Sequence, residues 1–203
     1  MNSKNNERNA LIPYVDKVER IYRVLASRKL ENITWYRIAK EADVWYSWAH
    51  RVLKKLENEK IIKGSEILNP KALFDKWASR NDHRIYREYH IQNPNEVLKS
   101  VSMEYALTGY FAENLMGQYL FPRYHEIYIR VSDSIKWHRY LSEMGYVGKG
   151  NVQVILADEH VFFEASKVDS WPIVSVQQLI VDLYRNGAEC TEAADILVGR
   201  VYH

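Results

Sequence analysis

Between Thr34 and Leu68 the chain reads TWYRIAKEADVWYSWAHRVLKKLENEKIIKGSEIL. Its apolar spacing changes twice within that stretch, and few folds accommodate both changes. Thr34 is a good N-cap, and Ile38 and Ala39 give an inward face to a short helix from Trp35 to Ala42. Asp43 and Val44 make a turn. A second helix then runs from about Trp45 to Asn58, with Ala49, Val52, Leu53 and Leu56 repeating at three and four residues. Ile61 and Ile62, then Ile67 and Leu68, flank Lys63-Gly64-Ser65 and read as two short strands of a hairpin.

Two helices across a tight turn followed by a hairpin form the pattern of a winged helix-turn-helix, whose second helix usually lies in a DNA major groove. The face of that helix turned from its core carries Tyr46, Ser47, His50, Arg51, Lys54 and Lys55. Hydroxyls, an imidazole and cations on one face suit contacts to phosphates and base edges. A solvated helix face has the same residue types, and it is the turn and hairpin on either side that favour DNA. Lys63 on the wing is positioned for backbone phosphate, a weaker candidate than Arg51 and Lys54.

Charge follows the same division. Residues 1–81 carry 17 Lys and Arg against 10 Asp and Glu, a balance of +7, and residues 82–203 carry 11 against 16, a balance of −5. A basic front suits an anion-binding head joined to a different kind of body. With 203 residues, 47% of them hydrophobic, the chain is long enough for two cores. No apolar run approaches the roughly 20 residues that span a bilayer, and the polar start MNSKNNER lacks the apolar core of a signal peptide. Cys190 is the only cysteine, which excludes an internal disulfide and a multi-cysteine zinc site. The expectation is a cytoplasmic protein without membrane partners.

The spacing predicts a disordered tail over residues 1–10, a head over 11–69, a connecting helix and linker over 70–83, and an α+β domain over 84–203. The head opens with a helix from Tyr14 to Leu30, with Pro13 in its first turn. Asn69-Pro70 caps the connecting helix, Lys71 to about Ser79. The second domain then alternates: a strand at Ile85–Ile91, a helix from Asn93-Pro94 to Val101, and a helix from Thr108 to Met116. A strand at Glu126–Val131, a helix from Ser134 to Met144, and a loop at Gly145–Gly150 follow. Next come strands at Val152–Leu156 and Val161–Glu164, a helix capped by Ser175 and ended by Gly187, and a last helix from Glu189 to about Val201.

Catalytic signatures are sparse. G-x-S-x-G, the Walker loop, the dinucleotide glycine fingerprint and H-E-x-x-H are all absent. His83 and His90 suit polar surface positions better than metal ligation. A helix opening at Leu107-Thr108-Gly109 before the strand EIYIR has the outline of a minimal nucleotidyltransferase core. That core places two carboxylates two residues apart on one strand face to bind magnesium. Here the pair is Glu126 and Tyr128, and Tyr128 supplies no carboxylate. Asp158 and Glu159 follow a strand rather than sit within one. The residues therefore point to no catalytic site, no bound metal and no cofactor.

The second domain resembles the antitoxin component of abortive-infection type E (type IV) toxin–antitoxin systems. The likeness rests on YALTGYFAENLMG at 105–117, EIYIRV at 126–131, GNVQVIL at 150–156 and VSVQQLIVDLYRNGAECTEAADIL at 174–197, and it covers most of residues 70–203. It implies an N-terminal winged helix, a nucleotidyltransferase-like fold without catalysis, regulation of a promoter by binding its double-stranded DNA, and a nucleotidyltransferase toxin as partner. A homodimer on an inverted repeat is compatible with it. The chain departs from the family in its aromatic recognition helix, with Trp45, Tyr46 and Trp48. Gln177, Gln178 and Asp182 on a late helix suit a polar partner-binding face or, more commonly, residues that cap, solvate or satisfy a neighbouring helix end, and Asn151 after Gly150 suits turn chemistry. Two readings of other classes stay open: an active nucleotidyltransferase with a DNA-binding head, and a protein-interaction module that docks through its winged helix.

Overall fold

The computed structural model describes residues 16–28, 32–80 and 85–202. The predicted tail, the helix start at Pro13-Tyr14, its end at Leu30, and His83 lie outside them. The fold is mixed α+β, and no helix among the described residues is long and apolar enough to cross a membrane. The chain divides into two compact units, one of residues 16–82 with 175–203 and another centred on residues 83–174.

The first unit, the head, opens with α1 (Lys17–Ser27), whose N-cap Asp16 accepts the Val18 N–H at 2.9 Å. Helix α2 (Trp35–Glu41) is capped by Thr34, and α3 (Tyr46–Asn58) follows the turn at Asp43 and Val44. Asp43 has φ 52, the left-handed conformation that ends many helices. Strands β1 (Ile62–Lys63) and β2 (Glu66–Ile67) pair antiparallel around Gly64-Ser65, with Gly64 at φ 62. Helix α4 (Pro70–Ala78) begins at Asn69, whose side chain accepts the Ala72 N–H.

The head is completed from the far end of the chain. Helix α8 (Val176–Asn186) and helix α9 (Glu189–Tyr202) pack on each other and on α4, and α8 also meets α1. This departs from the expected boundaries, in which residues 84–203 formed one domain. The reason lies in α8: Leu179, Ile180 and Leu183 are buried, and so are Gln178 and Asp182. Both Arg23 Nε and its terminal amine donate to Gln178 Oε1, at 2.9 and 2.7 Å. Gln178 Nε2 donates to Asp182 Oδ1 at 2.8 Å, and Arg185 bridges Asp182 to Glu19, the latter at 2.6 Å. The polar face of this helix therefore satisfies buried charges of α1.

The second unit is a seven-stranded mixed sheet, here with α5–α7 in chain order. Its strands are β3 (Ile85–Ile91), β4 (Ala106–Thr108), β5 (His125–Arg130), β6 (Gly145–Val147), β7 (Val152–Ala157), β8 (Ser166–Val168) and β9 (Trp171–Ile173). Their spatial order is β6-β3-β7-β5-β4-β9-β8. Strands β5 and β7 run parallel, as do β4 and β9, and the other pairs are antiparallel. The helices are α5 (Pro94–Ser100), α6 (Gly109–Met116) and α7 (Ser134–Met144). The central strands are almost continuously buried, as expected where both faces of a sheet are covered.

Two sequence expectations fail here. Gly145–Gly150, expected to be a loop, begins with edge strand β6, because Tyr146 and Val147 pair with His90 and Tyr89. Val161–Glu164, expected to be a strand, is instead the second half of the 3-10 turn Glu159–Phe162 and the turn after it, and Asp158 caps the 3-10 turn by accepting the His160 N–H. The hairpin β8–β9 went unread. Its turn residues Asp169 and Ser170 both have positive φ without a glycine to announce it.

His125 sits deep in this sheet. Its Nε2 lies 2.7 Å from Asn95 Oδ1, Phe111 stacks on its ring at 4.3 Å, and its Nδ1 is buried without a hydrogen-bond partner. Burial pushes the imidazole pKa down to about 4. The unfolded chain then binds the extra proton first, so His125 stabilises fully above its ordinary value near 6.5 and loses that contribution as pH falls towards 4. The loss should amount to roughly 3 kcal/mol. Urea midpoints should drop over that range, and His125→Gln should flatten the dependence. An equally steep dependence in the variant would assign it to another group.

Candidate nucleic-acid interface

Helix α3 presents an amphipathic face because its apolar residues return every three or four positions. Ala49, Leu53 and Leu56 are buried, and at 3.6 residues per turn the side directly opposite carries Ser47, Arg51 and Lys54. Tyr46 and His50 lie on one flank of that strip, and Trp48 and Lys55 on the other. Tyr46, Ser47, His50, Arg51, Lys54, Lys55 and Lys63, the site residues expected from sequence, are all exposed. No acidic side chain occurs from Val44 to Leu56.

The flanks are organised by ring contacts. His50 meets Trp35 edge-on at 5.2 Å and Tyr46 at 5.9 Å, and Tyr46 meets Tyr36 at 6.3 Å. Trp35 Nε1 also donates to the Gly64 carbonyl at 2.9 Å, which ties α2 to the hairpin turn. On the other flank the Arg51 guanidinium lies over the Trp48 ring at 5.6 Å. Trp35 and Tyr36 were not among the residues expected from sequence. The Trp-Tyr pair that opens α2 repeats the Trp45-Tyr46 pair that opens α3, and that repetition was the available signal.

Lys54 pairs with Glu57 at 2.8 Å, and the other Glu57 oxygen accepts the Gly64 N–H at 3.1 Å. The Lys54 ammonium, followed by that backbone donor, holds the Glu57 carboxyl below its usual range. Glu57 therefore links the helix to the hairpin, whose Lys63 immediately precedes the turn. The arrangement offers exposed cations, a hydroxyl, an imidazole and aromatic faces, all suited to a polyanion.

The other constellation singled out from sequence, around Glu126, is differently employed. Thr108 pairs with Glu126 across β4 and β5, and Gly109 starts α6 at φ 60. Glu126 Oε2 accepts the Tyr110 N–H at 2.8 Å. A carboxylate thus occupies the helix start where a phosphate-binding fold would seat its ligand. Glu113 does similar work one turn on, accepting the Leu120 N–H at 2.7 Å. No group of three or more His, Cys, Asp or Glu suited to a metal ion gathers among the described residues.

Comparison with known proteins finds no matching family model, no matching curated protein and no matching solved structure.

Proposed function

We propose that this chain is a DNA-binding transcriptional regulator of the type IV antitoxin kind, which holds promoter duplex on helix α3 of a winged helix-turn-helix. The observation that carries the reading is the exposed cationic strip of Ser47, Arg51 and Lys54, with Glu57 paired to Lys54 at its far end. His50 and Lys55 flank it, and Lys63 is exposed on the hairpin that follows. Cations in that arrangement reach phosphates on both sides of a groove, while Ser47 and His50 face base edges. The sheet unit serves in this reading as a nucleotidyltransferase-like body without catalysis that counters a toxin. Its support is the engagement of Glu126 with the start of α6 and the missing second carboxylate at Tyr128.

Arg51→Ala with Lys54→Ala tests it. Each phosphate neutralised contributes about −0.9 to the slope of log affinity against log salt, so the double variant should flatten that slope by roughly 2. Both side chains are exposed, so the fold should survive. Titration of labelled duplex at several salt concentrations reads the effect. An unchanged slope and unchanged affinity would remove this face from the interface.

A further inference from the structure

Helix α3 begins on a residue that does not cap it. Trp45 occupies the N-cap and makes no side-chain hydrogen bond to the first turn, where serine, threonine or an acid amide is usual. Its ring is 81% exposed, and Tyr46 and Trp48 follow at 47% and 43%. Trp45 and Trp48 are three residues apart, so they are neighbours at the same end of the helix. Large apolar faces held in water at the start of a helix gain most when a partner covers them.

The chemistry of that partner is narrowed by charge. The surrounding face carries Arg51, Lys55 and Lys54, the last paired with Glu57, and its net positive charge is complemented by a polyanion. In a duplex the N-terminal residues of a groove-seated helix meet base edges. One base alone offers an apolar group in the major groove, and that group is the thymine C5-methyl. We infer that Trp45 and Trp48 read thymine methyl groups, so that the DNA sites bound most tightly are thymine-bearing at the positions facing the start of α3. Arg51, stacked beneath Trp48, then holds phosphate or guanine next to that contact. This rests on the duplex-binding reading above.

The test uses the full chain. Duplexes selected by it from a randomised pool are remade with deoxyuridine in place of thymidine, which deletes only the methyl groups. Each methyl lost from an apolar contact should weaken binding about fourfold, and two should weaken it roughly fifteenfold. Trp45→Ala with Trp48→Ala should bind the thymine duplex at least as weakly as the unaltered chain binds the deoxyuridine duplex, and should cease to distinguish the two. Salt-dependent binding that is equally tight to both duplexes overturns the thymine reading and leaves duplex recognition standing. Discrimination that persists in the double variant overturns the assignment to the indoles. Failure to bind any duplex overturns both readings.

Discussion

Gly109→Ala is expected to destabilise the sheet unit by about 3–5 kcal/mol, a large part of the 5–15 kcal/mol that holds a typical domain folded. Two costs combine. Gly109 has φ 60, and a side chain in the left-handed region costs roughly 1–2 kcal/mol. An added Cβ would also lie 1.4 Å from Glu126 Oε2, the atom that accepts the Tyr110 N–H. Glu126 is buried and cannot swing into water without deserting that donor. Losing a hydrogen bond to a charged acceptor costs about 1.5–3 kcal/mol. Thermal unfolding should fall by more than ten degrees, since about 1 kcal/mol moves a domain of this size by several degrees. Glu126→Gln keeps an acceptor in place and should cost far less. In the double variant Gly109→Ala with Glu126→Ala the clash disappears but the strained backbone remains, so the combined loss should be smaller than the sum of the single losses. A Gly109→Ala protein that melts within a degree or two of the unaltered chain would show that Glu126 does not hold the start of α6.

Sequence spacing revealed the helices far better than the strands, and the reason is local. Thr34, Asn69 and Ser175 cap their helices with their own side chains, and each signal lies within four residues of its target. Strands β4, β6, β8 and β9 are three residues long, too short for alternation to show. What places β6 is pairing with β3, more than fifty residues away in the chain. The cationic face of α3 was legible because one helix carries it. Its aromatic border was not, because Trp35 and Tyr36 arrive from another helix. For Glu126 the missing carboxylate at Tyr128 argued against phosphoryl chemistry, but the backbone N–H of Tyr110 that it accepts is encoded by no residue pattern. The address of α8 was hidden in the same way. Gln178 and Asp182 suit the satisfaction of a neighbouring helix as well as a partner-binding face, and only Arg23 and Arg185 beside them show which helix they serve.

That last arrangement makes the C-terminal helices part of the head, and a chain ending at Val174 is expected to lose cooperative folding of residues 16–80. Removal of α8 and α9 strips Leu179, Ile180, Leu183 and Leu197 from the core. At about 1.5–3 kcal/mol for each large side chain, their burial alone rivals the total stability of a domain. It also breaks the bonds of Arg23 to Gln178 and of Glu19 to Arg185, which join α1 to α8. Urea titration followed by circular dichroism should show a transition for the full chain that is lost or broadened in the shortened one. On the proposed duplex-binding reading, affinity should fall with it, although every candidate DNA contact lies before residue 64. Arg23→Ala offers a milder version of the experiment, with an expected loss of about 3 kcal/mol from the buried network. A shortened chain whose head still unfolds cooperatively near the original midpoint would mean that residues 16–80 fold alone. Helices α1–α4 and the hairpin would then be an autonomous module, and the C-terminal helices would be an attachment to it.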